Sequence, residues 1–160
     1  MPSLRSFALA LGLLATTAAA ERLRAVFSSG SFSTIGDHSD SYKGFAIVRE
    51  NGEAIYNMEY PDNHSPCYNT GDGRTFKIEG DCWASPRKFH CESDFAGHPE
   101  HCAVLDGDGN ELGSGEGQED TTYIGIAIGT EASCVVEFDS DDAGHCPVDD
   151  GNGILFVTEG

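Results

Sequence analysis

Three groups of residues in this chain have types and spacing that could do chemistry. Asp106-Gly107-Asp108-Gly109-Asn110 offers side-chain oxygens at alternate positions, as the first half of an EF-hand calcium loop does. The pattern then departs from that loop, with Glu111 where it needs Gly and Gly117 where it needs the final Glu. Asp139, Asp141 and Asp142 form a second carboxylate cluster, and Asp149, Asp150 and Asn152 a third. Two such loops converging would supply oxygen ligands, so calcium is the one cofactor suggested, with Asp106, Asp108, Asn110, Asp139 and Asp141 as its candidates. Ordinary turn chemistry explains the same residues with no cofactor at all. His98-Pro99-Glu100-His101 carries transition-metal donors but lacks the helical His-Glu-x-x-His spacing, and Pro99 opposes a regular helix there.

A hydrolytic reading needs a base, an acid and something to stabilise developing charge. Fungal-type guanyl ribonucleases assemble these from Glu, His and Arg on a small disulfide-bonded sheet. Glu59, His64 and His90 would be the catalytic set here, with Arg74 and Lys77 on phosphate; no motif of those enzymes is present. The binding reading rests on Arg74, Lys77, Trp83, Arg87 and Lys88, with Phe89 nearby. Such a cluster could hold an anionic or carbohydrate partner by charge and ring stacking. Equally, its cations could neutralise acids elsewhere in the fold while its rings join the core, and this is the better supported of the two.

Charge narrows the partners. The chain has 27 acidic and 9 basic residues, a net of −18, and no Lys or Arg follows Lys88. Nucleic-acid affinity comes mainly from neutralising phosphates, so an acidic chain is a poor nucleic-acid binder. A charge this far from zero aids solubility and destabilises the compact state by self-repulsion. It also leaves proteases that need Lys or Arg without a site beyond Lys88.

Residues 1–20 read as an export signal. Arg5 gives the basic start, Phe7 to Leu14 the short apolar core, and Ala18-Ala19-Ala20 the small residues of a cleavage site. That core is too short to span a bilayer, which needs about 20 apolar residues. Residues 21–160 are then one secreted domain, extracellular and without a membrane segment. Its six cysteines, Cys67, Cys82, Cys91, Cys102, Cys134 and Cys146, are an even number in an oxidising compartment and read as three disulfides. Short local loops favour the pairing Cys67–Cys82, Cys91–Cys102 and Cys134–Cys146.

The elements that must position these residues are strands. Arg22 to Ser28 alternates, and Ser28 to Ser41 reads as a Ser- and Gly-rich loop. Tyr42 to Tyr60 is a hairpin about Asn51-Gly52, a pair suited to a two-residue type I′ turn. Its register puts Phe45, Ile47, Tyr56, Met58 and Tyr60 on the core face. Arg74 to Glu79 turns Phe76 and Ile78 inward, and Arg87 to Glu92 turns in Phe89 and Cys91. Cys102 to Leu105 and Glu111-Leu112 flank a turn, and Gly113 to Asp120 reads as exposed. Tyr123 to Gly129 is one strand with Ile124, Ile126 and Ile128 on the core face; Ser133 to Phe138 and Ile154 to Thr158 close the set. About eight or nine short strands with no helical period predict an all-β fold, a single disulfide-stabilised antiparallel β-sandwich or barrel.

A signal segment, a short mature chain, six cysteines and β-rich patterning together resemble the small secreted cysteine-rich proteins of filamentous fungi, many of them effector-like. The resemblance lies in layout over the whole chain and in no family motif. It implies a non-enzymatic role outside the producing cell, binding an extracellular protein or carbohydrate of a host or a cell wall. A small ribonuclease-like hydrolase is the alternative.

Overall fold

The computed structural model describes residues 20–34, 41–67, 72–119, 122–123, 126–129, 132–141, 146–149, 151 and 153–160. The expected export signal lies outside the described residues as far as Ala20, as do the side chains of Ile124, Ile126 and Ile128. Eleven strands are present among the described residues. They are β1 (Arg22–Thr34), β2 (Ser41–Arg49), β3 (Ala54–Met58), β4 (Arg74–Gly80), β5 (Arg87–Ser93), β6 (Pro99–Leu105), β7 (Glu111–Glu116), β8 (Thr122–Tyr123), β9 (Ile126–Gly129), β10 (Ser133–Asp139) and β11 (Leu155–Glu159).

Two antiparallel sheets pack together as a sandwich, not a closed barrel. One runs β3-β2-β1-β9-β8, with β10 also on β1; the other runs β11-β4-β5-β6-β7. The 13 residues of β1 make this possible. Its first half, Arg22 to Ser28, pairs with β10, and its last residues, Ser31 to Thr34, pair with β9. The segment expected to be a loop from Ser28 therefore continues as strand through Thr34, past a register shift between Ser28 and Ser31.

Period-2 alternation delivers the core. Leu23, Ala25, Phe27, Phe45 and Ile47 of the first sheet meet Phe76, Ile78, Phe89 and Val104 of the second in one buried cluster. The Phe45 and Phe89 rings meet across the layers, their centroids 4.8 Å apart. The alternate residues Val26, Ala46 and Val48 make a second, smaller apolar cluster with Ala54 and Val135.

The hairpin forms where expected but turns differently. Positive φ occurs at Gly52 (90°) and not at Asn51, so a type I′ turn is excluded. Gly52 N–H bonds Arg49 O at 3.0 Å and Arg49 N–H bonds Glu53 O at 2.9 Å. This is the three-residue connection in which a left-handed glycine follows an ordinary turn. Phe45 still faces Met58 and Ile47 faces Tyr56, but Val48 faces Ala54, with a bulge between. The bulge turns Ile55 into the main core. Met58 and Tyr60, expected inward, lie beyond the end of the core and are exposed.

Two further elements depart from expectation. Tyr123 to Gly129 is not one strand: β8 and β9 pair with each other as a short hairpin. Gly113 to Glu116, expected to be exposed, continues β7, with Gly113 and Gly115 only partly exposed, and its glycines let the sheets close. A Cβ on Gly113 would stand 2.2 Å from Glu137 O, and one on Gly115 2.1 Å from Val135 O. No side chain fits there, so β10 lies against the β7 backbone. Gln118 and Ser133 then exchange two backbone hydrogen bonds of 2.8 Å. At the same seam Cys102 on β6 is bonded to Cys134 on β10, and Cys67 is bonded to Cys91 on β5. Both bonds contradict the local pairing expected from sequence. Cys91 and Cys102 do stand opposite each other on β5 and β6, but Cys91 is bonded to the loop before β4 and Cys102 to the facing sheet.

Candidate functional site

The cationic cluster disperses when the strands form. Arg87 and Trp83 are buried. The Arg87 guanidinium donates to an Asp141 oxygen and, through Nη1, to Ser85 O at 3.4 Å and Ser85 Oγ at 3.3 Å. The Trp83 ring lies 6.2 Å from that of Phe138, inside the sandwich. Arg74 Nη1 stands 3.5 Å from Glu159 Oε1, and Lys77 Nζ 2.6 Å from Glu79 Oε1. Lys88 is directly opposite Lys77 across the β4–β5 pair. Three of the four cations thus meet carboxylates, and the rings serve packing.

The three residues of the hydrolytic reading share no partner among the described residues. Glu59 follows β3 on the rim of a groove, and its carboxylate has no partner among the described residues. His64 Nε2 is 3.2 Å from Glu159 Oε2, on the carboxylate that Arg74 also meets. His90 Nδ1 lies 2.9 Å from Thr75 Oγ1 and its Nε2 3.2 Å from Glu92 Oε1. His98 Nδ1 stands 3.4 Å from Asp94 Oδ2 and 3.5 Å from Glu119 Oε1, while His101 Nδ1 is 3.5 Å from Glu116 Oε1.

Four of the five calcium candidates, Asp106, Asn110, Asp139 and Asp141, have side-chain partners in the protein. Asp106 Oδ1 accepts from the N–H groups of Asp108 and Asn110, and Oδ2 from the Asn110 amide at 2.8 Å. Those bonds, the Asn110 amide first, hold its carboxyl below the ordinary range. Asp139 pairs with Arg22 at 3.5 Å, and Asp141 receives both Arg87 and the Ala84 N–H. Among the described residues no group of three metal-ligating side chains comes together.

What the fold builds instead is a groove of about 560 Å³ where the ends of β1, β2 and β3 meet the β5–β6 turn. Phe27 and Ser28 of β1, Gly44 of β2, Glu59, Tyr60 and residues 93–97 line it. Gly44, at φ 70°, lets the Glu59 peptide cross β2: a Cβ there would stand 2.2 Å from Glu59 O. Asp94 fixes the opposite wall. Its Oδ1 accepts from Ala96 N–H at 2.8 Å and His98 N–H at 2.9 Å, and its own N–H donates to His98 O at 2.9 Å. The His98 N–H is the chief cause that holds the Asp94 carboxyl below its ordinary range. On this locked turn Phe95 is fully exposed, and Tyr60 is 57% exposed across the groove. Among the described residues no Lys, Arg or His lines it.

A second, smaller groove of about 340 Å³ lies between the edge strands β3 and β11, with Met58 and Phe156 exposed beside it. Its backbone donors are blunted. Asp149 Oδ2 accepts from Leu155 N–H at 2.9 Å, and Asp62 Oδ2 from Glu159 N–H at 3.2 Å. Carboxylates on an edge oppose the addition of another strand. Tyr56 lines this groove too, its phenol pushed up to about 12 by burial and then by the negative charge of Asp149.

The sequence reading did not single out Phe95. The available signal was an aromatic residue inside the turn sequence Asp94-Phe95-Ala96-Gly97, where no alternation assigns it an inward face. No protein-family model matches the chain, and neither a curated protein nor a solved structure is similar to it.

Proposed function

We propose that this chain is a secreted, non-enzymatic binding domain that seats a neutral carbohydrate chain of a host or cell wall in the Tyr60–Phe95 groove. One observation carries the reading: a fully exposed phenylalanine on a turn fixed by four hydrogen bonds, facing a second exposed ring across a polar groove. An apolar ring held in water by a rigid turn is an unused contact surface, and rigid aromatics bind at low entropic cost. The Glu59 carboxylate, without a partner among the described residues, supplies hydroxyl acceptors in the same groove.

The lining selects the ligand class. With Glu59 and Asp94 in the groove, no cation beside them among the described residues and a net charge of −18, anionic partners are disfavoured. A groove of about 560 Å³ suits a short stretch of polymer. A stable protein partner needs a larger contiguous face, about 800 Å² a side. Co-sedimentation with insoluble neutral polysaccharides, chitin and β-1,3-glucan, tests the proposal. Retention is expected, and Tyr60→Ala with Phe95→Ala should weaken it at least about tenfold, since truncating an anchoring ring costs about 2 kcal/mol. Equal retention of the variant and the parent would overturn it. Cleavage of RNA by the purified protein, lost in His90→Ala, would replace binding with the hydrolytic alternative.

This reading includes no resident cofactor, because the acidic turns are satisfied by their own amides and by arginines. Melting temperatures in millimolar calcium and in chelator are expected to coincide. A clear rise with calcium would assign the Asp106 or Asp139–Asp141 turns to that cation instead.

A further inference from the structure

We propose that Cys82 and Cys146 form a third disulfide, closing the segment after β10 onto the β4–β5 connection. Both side chains are buried in the main core, alongside the two bonded pairs. The Cys82 thiol lies within hydrogen-bonding reach of the Cys146 side chain. With the other four cysteines bonded to each other, each of these has only the other as a partner.

The backbone on both sides holds the pair in place. Cys146 N–H donates to Glu21 Oε2 at 3.0 Å, and its C=O accepts from the buried Arg49 guanidinium. On the Cys82 side, Ala84 N–H donates to Asp141 Oδ2 at 2.6 Å, and Arg87 donates to the other oxygen of that carboxylate. The segment that carries Cys146 is thus fastened at Asp141 and again at Cys146 itself.

The chemistry is thiol–disulfide exchange with a carrier disulfide of the export compartment, a protein dithiol oxidant or oxidised glutathione. One thiol gives up its proton and attacks the carrier, releasing one carrier thiol and leaving a mixed disulfide. The second protein thiol displaces the other carrier sulfur, so two electrons and two protons pass to the carrier. In the docked state the Cys146 hydrogen bond, burial and the nearby Glu21 charge all raise the Cys82 thiol pKa and oppose the thiolate. Exchange therefore belongs to the chain before this segment docks, and the finished bond is shielded from reductants afterwards.

The test uses protein exported by an oxidising host, denatured in acid without reductant and treated with a thiol-alkylating reagent. Cleavage must be at Asp or Glu, because no Lys or Arg follows Lys88. The expected result is no alkylation and a linked peptide pair joining Cys82 to Cys146. Alkylation of both Cys82 and Cys146, with the other four cysteines linked, would overturn the proposal; so would a link from either to any other cysteine. A second measurement tests the shielding directly. With the parent protein, reduction of this bond in native buffer is expected to be at least about tenfold slower than in urea. Equal rates would mean that the pair is not shielded by the fold and would also count against the proposal.

Discussion

Replacing Cys102 and Cys134 together with alanine is expected to cost about 3–4 kcal/mol of stability, read by urea unfolding as a lower midpoint with a steeper slope, because the unfolded chain loses a cross-link. The estimate is the entropy that a closed loop of this length removes from the unfolded chain, and the bond spans a sequence separation of 32. In the native state the bond sits where β10 presses on the glycines of β7. That contact gains little from side chains, because Gly113 and Gly115 have none to bury. The two Gln118–Ser133 hydrogen bonds are the other fastening on this seam, and each contributes only about 1 kcal/mol net. A domain of this size holds about 5–15 kcal/mol in total, so the loss would be a large share of it. A loss below about 1 kcal/mol would show that the seam is held by packing and not by the cross-link.

How far the sequence discloses this depends on whether a feature is written along the chain or across it. Phe76, Ile78, Phe89 and Cys91 alternate along their strands, so their inward faces were legible, and the all-β sandwich followed from repeated alternation between turn sequences. β7 escaped because its inward face is glycine, which alternation cannot distinguish from a loop. The hairpin was legible as a hairpin, but its turn type depends on whether Asn51 or only Gly52 takes positive φ, and Asn-Gly permits both. The inner register moved by one residue as a result and brought Ile55 into the core.

Cross-chain features were not legible. Cys67–Cys91 and Cys102–Cys134 depend on which strands become neighbours, and the shortest loops gave a different pairing. The cationic cluster looked like a binding face because Arg74, Lys77, Arg87 and Lys88 are close in sequence. Strand alternation and the return of Asp141 and Glu159 from the far end send those side chains in different directions. The Tyr60–Phe95 groove joins residues from four separated segments, and only its rings could have hinted at it.

Arg49→Met is expected to cost about 3–5 kcal/mol, measured by urea unfolding with the disulfides intact. Arg49 is buried, and its guanidinium serves three segments at once. Nε donates to Glu21 Oε1 at 2.7 Å, Nη1 to a Glu53 oxygen and Nη2 to Cys146 O. Removing the cation leaves two carboxylates without their main counter-charge, one of them, Glu21, largely buried. Lysine would keep the charge but is a point donor that cannot span three acceptors as a planar fork does, so Arg49→Lys should recover only part of the loss. Arg22→Ala is the contrast. Arg22 pairs with Asp139 across an exposed edge at 3.5 Å, and its loss is expected to change stability by less than about 1 kcal/mol. The difference follows from what water does at each place: it screens the Arg22 pair and is excluded from the Arg49 fork. A chain with 9 bases among 27 acids gains most from a cation by burying it where several acceptors converge. Arg49 and Arg87 are both used in that way. If Arg49→Met cost no more than Arg22→Ala, the fork would be an incidental contact and Cys146 would be held without it.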